Sequence, residues 1–184
     1  MQKKIILGID PGTTIMGYGL ISCSSNAMEL ISYGVIHLRK YLEQMLKLQH
    51  IFRRSLELIE NYHPTELAIE AQFYGKNIQS MLKLGRAQGI SIAAALYRDI
   101  PVYEYAPRKI KQSITGNGSA SKEQVAAMLK KLLKINESPE YFDATDALAV
   151  AVTHYFQGDR VDSLPGKKQG SWESFVKNNP GRVK

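Results

Sequence analysis

The apolar positions of this chain change period several times, and each change marks an element. Residues 4–10, KIILGID, form a short Ile-rich run that reads as a buried strand. Pro11-Gly12 follows, a pair suited to the fixed φ and the positive φ of a type II turn. Residues 17–23 and 29–36 alternate as two further strands across the polar turn Ser24-Ser25-Asn26, which completes a three-strand antiparallel meander. From residue 41 to residue 62 the period becomes helical, with Met45, Leu48, Phe52, Ile59 and Tyr62 on one face and mostly charged residues on the other. Pro64 stops that helix, and residues 66–70, ELAIE, are a short strand.

A long helix is expected over residues 78–97. Its small residues Gly85, Gly89 and Ala93 lie four apart and allow close helix approach, either inside the fold or across a dimer. Residues 101–105 read as a strand, 107–114 as a short helix and 115–119, TGNGS, as a loop. Ser121 and Gln124 fit a capping box for a helix running to about residue 135, and residues 141–156 form the last helix. The order β-β-β-α-β-α-β-α-α-α predicts an α/β fold. Its sheet is mixed and five-stranded, three antiparallel strands and then parallel β-α-β units, with helices on both faces. We expect one domain over residues 1–157. Residues 158–184, with two Pro, four Gly and little apolar periodicity, read as a basic extended tail.

Composition narrows the class. The 184 residues are 44% hydrophobic and 22% charged, which excludes wholesale disorder. The lone Cys23 excludes an intramolecular disulfide framework and fits a reducing cytoplasm. No apolar run approaches a membrane span, and the run before Asp10 is too short for a signal peptide. The net charge of +7 is uneven: residues 1–75 are neutral, 76–134 carry +8, 135–157 carry −4 and 158–184 carry +3. A basic segment beside an acidic one suits a phosphate-binding surface next to a metal pocket, or a solvated helix face.

The candidate chemistry lies in carboxylates. Asp10 and Glu70 each end a strand; if those strands are parallel neighbours, both emerge at one sheet edge, where sites gather in open α/β sheets. Asp143 and Asp146 are three apart and share a helix face amid apolar neighbours. Each has a plain alternative: Asp10 closes a turn, and Asp143 complements a helix dipole. Together, four carboxylates repel one another unless cations compensate them. Hard oxygen donors favour Mg²⁺ or Mn²⁺, and two such ions suit in-line displacement at a phosphodiester. His37, His50, His63 and His154 lack metal-ligand spacing and read as surface or boundary residues, and no GxxxxGK[ST] loop is present.

With these residues in place the chain resembles the RuvC family of bacterial Holliday junction resolvases. The resemblance rests on ILGIDPGT (6–13), AIEAQF (68–73), KN (76–77), LKLGRAQG (82–89), VYEYAPRKIKQ (102–112), GNGSASK (116–122) and DATDALA (143–149), in register over roughly residues 4–156. It implies an RNase H-like fold and a homodimer that binds a four-way DNA junction. It also implies paired, symmetric, Mg²⁺-dependent nicks leaving 5′-phosphate and 3′-hydroxyl ends, in recombination and repair, alongside the RuvA–RuvB branch-migration complex and without a membrane.

Asp10, Glu70, Asp143 and Asp146 match the family's catalytic metal ligands for two Mg²⁺ ions, with Mn²⁺ as a substitute; Asp10 would bridge both ions, and a metal-activated water would attack phosphorus. Some relatives carry His where this chain has Asp143. Phe73 matches an aromatic that engages bases near the branch point, with Tyr74 beside it, and Lys111 and Lys122 match lysines that hold phosphates. Lys76, Lys83, Arg86, Arg108 and Lys109 are further candidate DNA contacts, whereas Lys130, Lys131 and Lys134 read equally as a solvated helix face. Three rivals stand beside this reading. They are an actin-like nucleotide hydrolase using Asp10-Pro11-Gly12-Thr13-Thr14, a nuclease of other branched or RNA substrates, and an inert junction binder.

Overall fold

The computed structural model describes residues 4–24, 27–72, 77–135 and 142–162, the last four by backbone alone. The strands are β1 (Lys4–Asp10), β2 (Ile15–Ser24), β3 (Ala27–His37), β4 (Glu66–Glu70) and β5 (Val102–Tyr105). The helices are α1 (Gln44–Tyr62), α2 (Ile78–Leu96), α3 (Pro107–Thr115), α4 (Lys122–Leu133) and α5 (Phe142–Asp162). One five-stranded sheet runs β3-β2-β1-β4-β5. β2 is antiparallel to both β1 and β3, β4 is parallel to β1, and β5 is parallel to β4. This is the mixed sheet that the element order predicted, in the RNase H-like arrangement that the resemblance implies. No described helix is long and apolar enough to cross a membrane.

The side-chain period of two divides β1 between two cores. Leu7 and Ile9 join Leu67 and Ile69 of β4 under α1 and α2. Ile6 joins Ala68 and the side chains of α3, α4 and α5 on the other face. α5 is buried almost all round, with Ala144 and residues 147–152 nearly inaccessible, which marks a helix inside the molecule rather than on it.

Three expectations change. Gly12 does not adopt a positive φ, so the Pro11-Gly12 turn is not type II; a Cβ at Gly12 would instead run into the carbonyl of Ile15, and the residue serves close approach. Met45 is exposed, because the buried stripe of α1 runs through Ile51, Ser55, Leu58 and Ile59, and Met45 stands roughly 120° round the helix from Ile51. α5 continues past residue 156 to Asp162, five residues into the segment expected to be a tail. The helix around residue 41 begins only at Gln44, and the predicted capping box of α4 is present in both directions.

A carboxylate cavity at the sheet edge as candidate active site

Asp10 and Glu70 are the last residues of two parallel, hydrogen-bonded strands, with Ile9 paired to Ile69 just before them. Strand alternation then decides their face. Ile6 and Ala68 point to the α5 side, so Asp10 and Glu70, each an even number of residues further on, do the same. The parallel-neighbour condition set by the sequence is met.

Asp143 and Asp146 arrive from α5, and three glycines let them come close. Gly8 and Gly19 are register partners, and Gly17 is the partner of Asp10. A Cβ at Gly8 would strike the carbonyl of Ala147, one at Gly17 the carbonyl of Asp143, and one at Gly19 would lie 2.7 Å from the Cα of Leu148. This bare strip lets the α5 backbone rest directly on β1 and β2, so its first turns reach the sheet edge. Glycine inside a strand costs entropy and side-chain packing, and its usual justification is such a close backbone approach. The glycines were legible as letters but not as a seam, because register pairing places them side by side.

The acids line a cavity of about 290 Å³ whose wall includes Asp10, Glu70, Asp146, Lys111 and Lys122, with Ile110, Val125 and Ala149 as its apolar part. Lys122 Nζ donates to Asp146 Oδ2. Asp143 is half-buried beside them, and its charge acts on Asp10 and on Lys122. Burial, then the charges of Glu70 and Asp146, hold the Asp10 carboxyl well above the usual carboxylate range. Burial and then Asp146 push Glu70 up to about 7, against the opposing pull of Lys122 and Lys111. Burial alone would lower Lys122, but its hydrogen bond to Asp146 and the charges of the surrounding acids raise it.

Both carboxyls are raised first by burial and then by mutual repulsion that the two lysines do not cancel, the surroundings in which a bound cation is favourable. The donor set is all hard oxygen, which suits Mg²⁺ or Mn²⁺. Among the described residues no three His, Cys, Asp or Glu side chains converge as a ready-made metal cage. Asp146 is turned to Lys122 instead.

The remaining candidates divide. Lys111 and Lys122 join the acids. Arg108 packs its side chain over Gly118, and Lys109 is exposed on α3. Lys83 and Arg86 are exposed on α2, on the opposite sheet face, and do not line the cavity. Phe73, Tyr74 and Lys76 lie outside the described residues. His154 corrects the reading of it as a surface or boundary residue: it is buried, at 4% exposed. Its Nδ1 bonds Tyr105 Oη at 2.6 Å, its Nε2 meets Glu66, and Lys4 Nζ lies 2.6 Å from the same carboxylate oxygen. This chain of polar groups ties α5 to β1, β4 and β5. An isolated His in an apolar helix gave no sign of partners contributed by three separate strands.

Comparison with known proteins agrees with this geometry. A RuvC protein of Cytophaga hutchinsonii is 59% identical over 98% of this chain and 88% of its own length. One of Bacteroides fragilis is 56% identical over 100% and 98%. A solved structure described as Thermus thermophilus RuvC in complex with Holliday junction substrate superposes with a TM-score of 0.80 at 32% identity, covering 86% of this chain and 96% of that one. The family model described as crossover junction endodeoxyribonuclease RuvC matches residues 6–154, a span that takes in β2 to β5, most of β1, all four acids and both cavity lysines, and the chain belongs to that family of metal-dependent nucleases.

Proposed function

We propose that this protein is a structure-selective endonuclease that resolves four-way DNA junctions by paired symmetric hydrolysis, in recombination and repair. The observation that carries the reading is the convergence of strand-end and helix-borne carboxylates in a cavity walled by two lysines. A relative of like fold is described in complex with a Holliday junction, and this chain spans nearly all of it.

Asp10, Glu70, Asp143 and Asp146 would hold two Mg²⁺ ions, with Mn²⁺ as substitute. When bound, the metal supplies charge for the phosphodiester oxygens and acidifies the attacking water. The chain's own residues do the rest. The rigid strand ends keep Asp10 and Glu70 in place, and α5 fixes Asp143 and Asp146 against them. Lys111 and Lys122 draw the DNA backbone to the cavity by its phosphates. Phe73 and Tyr74 engage bases at the branch point, and Lys76, Lys83, Arg86, Arg108 and Lys109 extend the phosphate contacts. The partners are the junction, the RuvA–RuvB complex and a second copy of the chain, in the cytoplasm.

The second copy docks on α2. Ile78, Leu82 and Leu96 are 73%, 52% and 57% exposed, and with Gly85, Gly89 and Ala93 they form an outward stripe at three- and four-residue spacing. Among the described residues, nothing beyond the helix's own adjacent backbone lies within 4 Å of a Cβ placed at Gly85 or Gly89, so the described part of the fold does not use the close approach these glycines allow. Two copies related by a two-fold axis present two cut sites, as symmetric nicking requires.

The test uses purified protein, a synthetic mobile four-way junction, Mg²⁺ and the variant Asp10→Asn. Paired symmetric nicks are expected, with binding but no cutting by the variant. Equal cutting by the variant removes Asp10 from the chemistry. Linear duplex cut as readily as the junction overturns the assignment.

A further inference from the structure

Lys122 stands where a lysine is not favoured. It is the first residue of α4, beside the positive end of the helix dipole. The start of that helix is held firmly. Ser121 accepts from the backbone N–H of Gln124, and Gln124 accepts from the backbone N–H of Ser121. In the loop before it, Asn117 Oδ1 accepts from the Ser119 N–H, and Ala120 is buried. The backbone of Lys122 is thus fixed while its side chain remains 57% exposed, so the ammonium can leave the cavity for water without unpacking anything. Asp146, its partner, is 17% exposed and lines the cavity wall beside Asp10 and Glu70.

A fixed base, a flexible stem and a single positive charge on a would-be metal ligand form a device with two positions. Resting on the reading that the four acids hold divalent metal, we propose that Lys122 is a displaceable counter-cation. It occupies Asp146 while the site is metal-free, and it is released toward the DNA backbone when a divalent ion takes that carboxylate. A doubly charged ion outcompetes an ammonium for a carboxylate among other carboxylates, because each of them attracts it twice as strongly at equal distance. The swap makes the two ligands mutually dependent. Metal frees a positive charge for phosphate, and phosphate that takes up the ammonium frees Asp146 for metal; linkage requires the two effects to be equal in size. Metal loading and junction binding are then coupled through one side chain, and each favours the other.

The test measures Mn²⁺ binding by calorimetry on the full chain without DNA, so that no cutting is involved. Lys122→Met removes the competitor, and its Mn²⁺ affinity should exceed wild type by about five- to 150-fold, the usual range for coupled sites. Lys111→Met controls for the general field. Lys111 lines the same cavity and acts on Glu70 through its charge, so its gain should be smaller. Lys122→Arg keeps the charge and adds a planar fork suited to a carboxylate, so its Mn²⁺ affinity should fall below wild type. This variant decides the matter if Lys122→Met does not fold. Unchanged or weaker binding by a folded Lys122→Met, or wild-type affinity in Lys122→Arg, overturns the swap. Wild type that binds no Mn²⁺, or Asp10→Asn that binds it equally well, overturns instead the metal reading on which the proposal rests.

Discussion

Replacing Glu70 by Gln keeps the shape of the side chain and removes its charge. In the metal-free protein that change should be stabilising at alkaline pH. Burial and the Asp146 charge raise the Glu70 carboxyl from 4.5 to about 7. The folded chain therefore holds this proton more tightly than the unfolded chain does. Its contribution to stability is fully present below the unfolded value near 4.5 and is lost as pH rises through about 7. A shift of this size corresponds to about 3 kcal/mol, at roughly 1.4 kcal/mol per pH unit. Wild type and Glu70→Gln should thus differ little near pH ~5, while near pH ~8 the variant should be more stable by up to about 3 kcal/mol. For a chain of this size that is a rise of about 6–12 °C in Tm. Asp10 adds to the effect, since Glu70 is the largest charge acting on it, second only to burial, and the substitution removes that repulsion. Urea and thermal unfolding in EDTA across this pH range give the comparison. Mg²⁺ added at the alkaline end should raise wild type toward the variant. Parallel stability curves for the two proteins would refute the argument, because they would mean that Glu70 is solvated or already compensated.

Other consequences follow from the packing. Gly8→Ala places a methyl group against the Ala147 carbonyl and Ala151, so it should destabilise by about 1–3 kcal/mol and reduce cutting more than junction binding as α5 lifts from the sheet; equilibrium unfolding and cleavage assays check both. Gly89→Glu meets open space among the described residues, so sedimentation should show a folded monomer whose unfolding midpoint, unlike that of wild type, does not depend on protein concentration. A Gly89→Glu protein that remains dimeric would remove α2 from the interface. Phe73→Ala should lower the rate of junction cutting more than it lowers affinity, measured by single-turnover cleavage against fluorescence anisotropy; an unchanged rate returns Phe73 to a packing role.

Much of this molecule was written locally. The apolar run of residues 4–10, the helix stop before Pro64 and the Ser121–Gln124 box each depend on near neighbours, and each formed where the pattern put it. The four acids were legible too, because a carboxylate closing an apolar strand or opening an apolar helix is conspicuous without any knowledge of its partners. What the tertiary structure decided were relations across the chain. The glycines 8, 17 and 19 become a seam only when β1 and β2 pair, and only then does α5 settle low enough to bring Asp143 and Asp146 to Asp10. His154 gained its partners from β1, β4 and β5, elements distant in sequence. Lys122 was legible as a phosphate-holding lysine by resemblance, but only folding set its ammonium on Asp146. Local sequence specifies period and end signals because these act over a few residues. Register, close approach and the meeting of opposite charges depend on burial and pairing between distant segments, which no window of the sequence contains.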